Sequence, residues 1–394
     1  MITNLSNLDE IKHGIDTAVE MVQHAQPLNY DPTIPIYADD FIDESGYDAS
    51  LAGMSNAEKL DYFNQSVSGM ETEHLKLSGI FASGTNIVCH INTRSEHIQY
   101  FSTTDAQVSI VLAHAKLKWE VIAEQSAHRK SDLNTVTPHR DLSWLIERYQ
   151  NDPSQQIPIG TYDIVFGAAA ISSLLSVMNW IGFSGGSMKR SSSFIAENKV
   201  GHKVFSDKFT LIDDPTRLET FPFKKDLMGI ERQPFLIFEN GVLKSFIWSQ
   251  DDADEFGAQP TGHTVSHNSL VLGGGDHEVS TIEALAKMPR ERDVLYIPFL
   301  HYLNIVNPSK GVITASSRFG TLLLKKDGSI VVPFNVRVTQ SLLDIFGDKV
   351  AWLSKATIAH NTSSSYGSRN PTALVVPAFM QVNDLDISHS NTSY

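Results

Sequence analysis

Beyond residue 160, turn residues divide the chain into short runs of β-branched and aromatic residues, and this pattern constrains the fold more than any other feature. Runs of about four to eight such residues are typical of strands. Asn240-Gly241 and Asp327-Gly328 separate neighbouring runs and are typical of hairpin turns, which require positive φ angles. We therefore expect a β-rich second half, built as a curled sheet or a barrel. The predicted strands are 208–212, 234–238, 242–248, 294–299, 312–315, 320–324, 329–334 and 373–377.

Helical segments are predicted from apolar residues at helical spacing and from capping residues. Ser6 or Asn7 is suited to cap the first helix, and Ser55 with Glu58 forms a capping box for the second. The predicted helices are 8–24, 55–75, about 140–150 and 168–181.

The first half also contains five short runs that predict a meander of antiparallel strands. They are 80–82, 87–91, 97–103, 106–113 and 117–123. A polar stretch with two prolines, 151–158, is typical of a linker and predicts two domains, 1–155 and 156–394. The predicted fold class is α+β. N-terminal helices with an antiparallel meander sheet precede a β-rich C-terminal domain that carries one alanine-, leucine- and serine-bearing helix.

Charge argues against nucleic acid as a partner. The 394 residues include 31 Lys and Arg and 45 Asp and Glu, which gives a net charge of −14. Binding of nucleic acid needs a basic surface that replaces counterions. The 41% apolar content excludes a disordered chain. The longest mainly apolar run, 164–183, is too polar to span a membrane and no secretory signal is visible, so we expect a cytoplasmic protein without a membrane partner.

The single cysteine, Cys89, excludes an intramolecular disulfide and the zinc or iron–sulfur sites that need several thiolates. Because it lies in a run that predicts a strand, we expect a buried, inert thiol.

The sequence 182–186 matches G-x-S-x-G, the nucleophile turn of serine hydrolases, with Ser184 in the central position. That turn needs a strand before the serine and a helix after it. Here a predicted helix precedes Ser184 and an extended stretch is expected to follow. We interpret the glycines as a helix stop that adopts left-handed conformations.

Three histidines form a second candidate group. His263 and His267 are four residues apart, and His277 follows ten residues later. Four-residue spacing on a helix would suit zinc, but the β-branched and turn residues around His263 disfavour a helix. In a strand the first two would be about 13 Å apart. We therefore favour polar loop histidines, and a metal site at these residues is kept as the alternative.

Asp213 and Asp214 precede a proline. Paired carboxylates can share a proton or hold a metal, whereas Asp before Pro also favours a turn that ends a strand. The structural interpretation is preferred, and both residues remain candidates.

One ordered set of segments resembles the TldD/PmbA family, also called modulator of DNA gyrase proteins. The resemblance covers about residues 156–385, and no single segment is specific alone. Its segments are S-G-G-S-M-K-R-S-S-S-F over 184–194, V-G over 200–201, F-T-L-I-D-D-P over 209–215, N-G-V-L over 240–243, T-G-H over 261–263 and the stretch from 307 to 320.

The resemblance implies one of two kinds of subunit. TldD-like subunits carry H-E-x-x-x-H, whose histidines bind zinc and whose glutamate is the general base, with a cysteine near the C-terminus. PmbA-like subunits, also called TldE, carry S-G-G-S-x-x-R, lack the ligands and pair with the peptidase subunit. Alignment on Arg190 places the histidine positions at Val177 and Gly182 and the glutamate position at Met178.

These residues cannot bind zinc, so the resemblance implies a PmbA/TldE-like chain with no catalytic residues, no cofactor and zinc only in a partner subunit. The first 155 residues match loosely, and the N-terminal domain is expected to be trimmed.

The resemblance leads to a first hypothesis about function. It is a non-catalytic subunit of a proteolytic assembly that pairs with a TldD-like metallopeptidase or with itself and acts on unfolded or leader peptides. The alternatives are an active metal-dependent peptidase with a relocated site and a stand-alone peptide- or ligand-binding protein. The residues predicted to shape a groove or interface are Ser184, Gly185, Gly186, Ser187, Arg190, Asp213 and Asp214.

Overall fold

A computed structural model describes residues 7–151, 153–363 and 370–394, and it has the predicted α+β architecture. The helices are α1 (Leu8–His24), α2 (Ala49–Ala52), α3 (Asn56–Ser66), α4 (Val136–Asn151), α5 (Ala168–Gly182), α6 (Gly185–Lys189), α7 (Gln250–Phe256), α8 (Ile282–Lys287) and α9 (Leu342–Ile345).

The strands of the first half are β1 (Phe41–Gly46), β2 (Leu75–His90), β3 (Gln99–His114) and β4 (Glu120–Ala127). Those of the second half are β5 (Gly160–Gly167), β6 (Leu211–Asp213), β7 (Phe235–Glu239), β8 (Val242–Leu243), β9 (Leu270–Leu272), β10 (Val294–Ile297), β11 (Phe299–Asn307), β12 (Val312–Arg318), β13 (Leu322–Leu324), β14 (Ile330–Val331), β15 (Val336–Ser341), β16 (Val350–Leu353), β17 (Thr357–Asn361), β18 (Ala373–Pro377) and β19 (Phe379–Ser390).

The N-terminal sheet is built around β3. This strand pairs along its whole length with β2, and its other edge pairs first with β1 in parallel and then with β4. The prediction of five short strands is wrong here. The four runs over 80–113 belong to two strands of sixteen residues each, because the polar residues between the runs continue the ladder from Leu75 to His114.

Cys89 is exposed, so the prediction of a buried thiol is wrong. It lies on β2, which is an edge strand, and alternate residues Thr85, Ile87 and Cys89 all face solvent. Period-two alternation places every second side chain of a strand on one face, and this one is the open face of the sheet.

Capping residues determine where several helices begin. Asn7 accepts a hydrogen bond from the backbone of Glu10 and caps α1, whereas the alternative cap, Ser6, lies outside the described residues. Ser55 and Glu58 form the predicted capping box of α3, which is confirmed. That helix ends at Ser66 rather than near residue 75, because the polar segment that follows leads into β2.

The second half forms two sheets around α5. A curled half-barrel sheet has the strand order β11-β12-β15-β19-β5-β10-β13-β14, with β16 beside β19, and a smaller sheet has the order β17-β18-β9-β6-β7-β8. The chain passes from β18 of one sheet to β19 of the other at Ala378. The α5 side chains Ile171, Leu174 and Leu175 are fully buried between the sheets. This helix is therefore the centre of the larger core.

A second core cluster draws on both halves of the chain. Val108 and Trp119 of the N-terminal sheet region join Leu142 of α4 and Val294 and Phe379 of the half-barrel. The division at residue 155 stays a prediction, and Asp152 of the predicted linker lies outside the described residues. Among the helices of the described chain, none is long and apolar enough to cross a membrane.

Candidate functional site

The three α5 positions that the resemblance assigns to zinc chemistry lie in packed surroundings. Met178 is fully buried, and Val177 packs against the same core. A Cβ built on Gly182 would be 2.5 Å from the ring of Phe194, closer than real Cβ atoms approach. An imidazole at this position would therefore displace that ring. Within the described residues, no group of three His, Cys, Asp or Glu side chains is arranged to hold a metal.

The turn after α5 continues into a second helix. Ser184 caps α6 by accepting a hydrogen bond from the backbone of Ser187 at 3.0 Å. The prediction of an extended stretch here is wrong, because the serine hydroxyl and the small glycines allow a helical turn to restart at once. A helix both precedes and follows Ser184, so the strand-to-helix order of a hydrolase turn is absent from this segment.

The glycines of this turn have a different role from the predicted one. Gly182, Gly185 and Gly186 all have ordinary negative or extended φ angles rather than left-handed ones. A Cβ on Gly185 would be 2.3 Å from the Trp248 indole, and one on Gly186 would be 1.9 Å from an oxygen of Asp252. The glycines therefore allow close packing of α6 against α7.

Asp252 joins the two ends of the motif. It accepts a hydrogen bond from the Ser184 hydroxyl at 3.2 Å and from the Arg190 guanidinium at 2.9 Å. Arg190 also pairs with Glu255, which raises the pKa of the guanidinium, and it lies 5.0 Å from the centre of the Phe256 ring. We call this arrangement of α6 and α7 the α6–α7 clamp. Arg190 is 45% exposed, so the clamp is at the surface.

Asp213 belongs to a buried cluster of charges. Its two oxygens contact His263 Nδ1 at 2.6 Å and Arg232 Nη2 at 2.8 Å, and all three side chains are at most 6% exposed. The backbone N–H of Ser269 donates a third bond to the carboxylate at 2.7 Å. His263 also stacks on Phe235, with the ring centres 5.0 Å apart. This Asp213–Arg232–His263 cluster fixes β6 to two distant loops.

Asp213 and Asp214 have different hydrogen-bond partners, and a functional role for the two remains a prediction. Asp214 accepts hydrogen bonds from the backbone and hydroxyl of Thr216 at 2.9 and 2.7 Å and so closes the turn after β6. Asp213 is the last residue of β6, whereas Asp214 lies in the turn that follows, so the two carboxylates have different environments.

The three candidate histidines have three different environments. His263 is a loop residue, but it is buried and contacts Asp213. His267 packs edge-on against Phe223, and His277 stacks on Trp352 at 4.7 Å. The short Thr264–His267 bridge makes a turn between the first two histidines. The three rings therefore have different neighbours, and within the described residues they do not form a group of three ligands that could hold a metal.

A polar cleft of about 480 Å³ lies beside α5 and was not predicted from the sequence. Its walls carry hydroxyl and amide side chains from α5, β17 and the loop before β9. They are Ser173, Ser176, Asn179, Asn268 and Asn361. Asn179 donates to the carbonyl of Val265 and accepts from Asn268, both at 2.8 Å, which orders the cleft. Amides and hydroxyls of this kind can hydrogen-bond a polypeptide backbone, and Glu124 and His360 also line the cleft.

Arg232, Trp248 and Asp252 were also missed by sequence reasoning. Each contacts a site residue at least nineteen positions away along the chain, as Arg232 does with Asp213. No local pattern marks such a partner, although Ser249 at the start of an acidic segment does indicate the cap of α7.

The part of the chain that contains these features is similar to a known domain. Residues 159–389 match the model of the PmbA/TldA metallopeptidase C-terminal domain, which is more than half of the chain. The chain belongs to the TldD/PmbA family. The match contains α5, the α6–α7 clamp and the buried cluster, so these features lie in the domain that is typical of the family.

Curated family relatives match over short stretches. A metalloprotease PmbA homolog of Haemophilus influenzae is 36% identical over 99 residues, 23% of this chain and 21% of the relative. A metalloprotease of Methanothermobacter thermautotrophicus is 36% identical over 72 residues, 18% of this chain and 16% of the relative. The matched part therefore spans about a fifth of the length of these relatives.

Solved structures of family members share the fold. TldE from Thermococcus kodakarensis matches with a TM-score of 0.75 at 16% identity, over 98% of this chain and 86% of that one. A candidate modulator of DNA gyrase from Bacteroides thetaiotaomicron matches with a TM-score of 0.73 at 18% identity, over 98% and 84% of the two chains. At these identities the likeness establishes the architecture alone.

Proposed function

We propose that this member of the TldD/PmbA family is a non-catalytic, TldE-like subunit of a proteolytic assembly. It pairs with a TldD-like metallopeptidase or with a second copy of itself and helps to enclose an unfolded or leader peptide. The zinc and the general base belong to the partner.

The packing of α5 carries this proposal. A zinc peptidase needs ligands that hold the metal and leave one coordination position open for water. Val177, Met178 and Gly182 supply no ligand atom in an open position, and Phe194 fills the space beside Gly182. The polar cleft next to α5 supports a remaining role in holding peptide, since its amides and hydroxyls can hydrogen-bond a polypeptide backbone.

The exposed face of α1 supports pairing with another chain. No residue of α1 is buried, and apolar side chains recur along one face at helical spacing. They are Leu8, Ile11, Ile15, Val19 and Val22, between 40% and 71% exposed. A continuous apolar stripe of this kind on a surface helix is typical of an interaction surface.

The test combines metal analysis, peptidase assay and co-purification from the native host. We expect the purified chain to hold less than stoichiometric zinc, to leave an unfolded peptide uncut and to gain cleavage activity only with its metallopeptidase partner. Chelator-sensitive cleavage by the isolated chain would contradict the proposal, and zinc lost in His263→Ala would point to a relocated site.

Pairing has its own matched variants. Ile15→Glu places a charge in the middle of the α1 stripe and should abolish pairing, whereas Thr17→Glu on the same helix should not. Pairing that survives Ile15→Glu would exclude α1 as the contact, and a monomer that binds peptide without any partner would favour the stand-alone binding protein.

A further inference from the structure

A second groove, of about 950 Å³, lies on the outer face of the half-barrel sheet and shares no lining residue with the α5 cleft. One row of side chains crosses four adjacent strands there. The ladder pairs His301 of β11 with Ser316 of β12, Ser316 with Arg337 of β15, and Arg337 with His389 of β19. Directly paired residues share a face and have Cβ atoms about 5 Å apart. All four line the groove.

Arg337 is the one permanently charged residue of this row, and two further cationic side chains lie beside it. Arg318 lies two residues after Ser316 on the same face of β12, and Lys118 comes from the turn between β3 and β4. Glu120 is the one carboxylate among the described residues that line the groove. It forms an ion pair with Arg318 at 2.7 Å. We call the row and these two residues the cationic groove.

Two cations of this groove, Arg337 and Lys118, have no carboxylate partner within the described chain. Arg337 bonds only the hydroxyl of Thr314, at 3.2 Å, and no carboxylate of the described residues lies within ion-pair distance of it or of Lys118. Acidic side chains outnumber basic ones in this protein, whose net charge is −14. These two cations nevertheless lie in a concave surface without an acidic partner among the described residues. Such a surface attracts negative charge.

We propose that the cationic groove binds an acidic segment of an unfolded polypeptide. The row is about 14 Å long, given strand spacings of about 4.8 Å, which exceeds the reach of one phosphate or carboxylate and matches about four residues of extended chain. A long nucleic acid would extend beyond the groove and be repelled by the net negative charge of the protein. A short acidic segment carries its negative charge only within the groove. This inference rests on the proposed role in binding unfolded peptide and adds a preference for its charge.

Fluorescence anisotropy with the isolated full chain tests the inference. The probes are two labelled, unfolded decapeptides in which every second residue is Glu in one and Gln in the other. We expect the Glu peptide to bind about ten-fold tighter, and raising the salt from about 0.05 M to about 0.3 M should remove most of this difference. Because this assay contains no partner subunit, a negative result would contradict the charge preference alone and would not bear on the proposed pairing.

Variants locate the effect. Arg337→Gln should weaken binding of the Glu peptide by about three- to five-fold, and Lys118→Asn, which suits the left-handed backbone at φ 66°, should do the same. Lys326→Asn removes an exposed lysine elsewhere and should leave binding unchanged. Far-UV circular dichroism checks that each variant is folded.

Equal binding of the two peptides would overturn the inference. So would wild-type affinity in both groove variants, or tighter binding of a single-stranded oligonucleotide with the same number of charges than of the Glu peptide.

Discussion

The α6–α7 clamp and the Asp213–Arg232–His263 cluster both hold a carboxylate between an arginine and a second donor, but they do so in opposite surroundings. In the clamp, Arg190 is 45% exposed and Asp252 is 17% exposed. In the cluster, Arg232 is 3% exposed and Asp213 is fully buried. Water can replace a lost partner in the clamp and cannot reach the cluster. The same chemistry should therefore matter for interaction in one region and for stability in the other.

Removing the Arg232 guanidinium should give the largest loss of stability. Arg232→Met leaves the Asp213 carboxylate buried with fewer donors, and loss of one partner of a buried pair costs about 3–5 kcal/mol of unfolding free energy. Urea denaturation measures this loss. If the variant were as stable as wild type, the cluster would not be an obligate part of the core, and the contrast with the clamp would fail.

Gly186→Ala should give the second-largest loss of stability. Its Cβ would overlap Asp252, so α6 and α7 must move apart at a cost of about 1–3 kcal/mol. Gly160→Ala is the matched control, since no atom lies within 4 Å of the added Cβ, and it should change stability little. Equal denaturation midpoints for the two variants would show that close packing is not why the clamp contains glycine.

Acidification should weaken the region around the buried cluster more than the clamp. Burial lowers the pKa of His267 and of His90 below the ordinary 6.5. Repulsion by the positive charge of Arg232 lowers the pKa of His267 further, and repulsion by His267 does the same for His90. The unfolded chain therefore binds protons first as the pH falls from about 7.5 to about 5.5, and stability declines over that range. Denaturation at several pH values should show a smaller decline for His267→Gln than for wild type. An unchanged slope would mean that His267 does not contribute.

Arg190→Gln should have the smallest effect on stability. Its ion pairs with Asp252 and Glu255 are exposed to solvent, and pairs of this kind contribute below about 1 kcal/mol. If the clamp shapes an interface, the same variant should weaken co-purification with a partner although it remains folded. A loss of stability as large as that of Arg232→Met would show that the two regions do not differ.

Local signals predicted the elements that depend on nearby residues. The capping box at Ser55, the hairpin turn at Asn240-Gly241 and the central helix α5 were all predicted from sequence, and each is present. The resemblance also predicted the family, which the domain match confirms. Strand lengths in the N-terminal sheet and the exposure of Cys89 were wrong, since both depend on which neighbouring strands complete the ladder.

The sequence by itself determined an α+β chain of the TldD/PmbA family, and the resemblance assigns Val177, Met178 and Gly182 to the positions of two zinc ligands and the general base. Periodicity, caps and turns act over a few residues and so are visible in any stretch of the chain. Only the tertiary structure brought His263 to Asp213 across 50 positions and Asp252 to Ser184 across 68. Such contacts follow from how two sheets close around α5, and the geometry of that closure is set by the packing of the whole core rather than by any one segment.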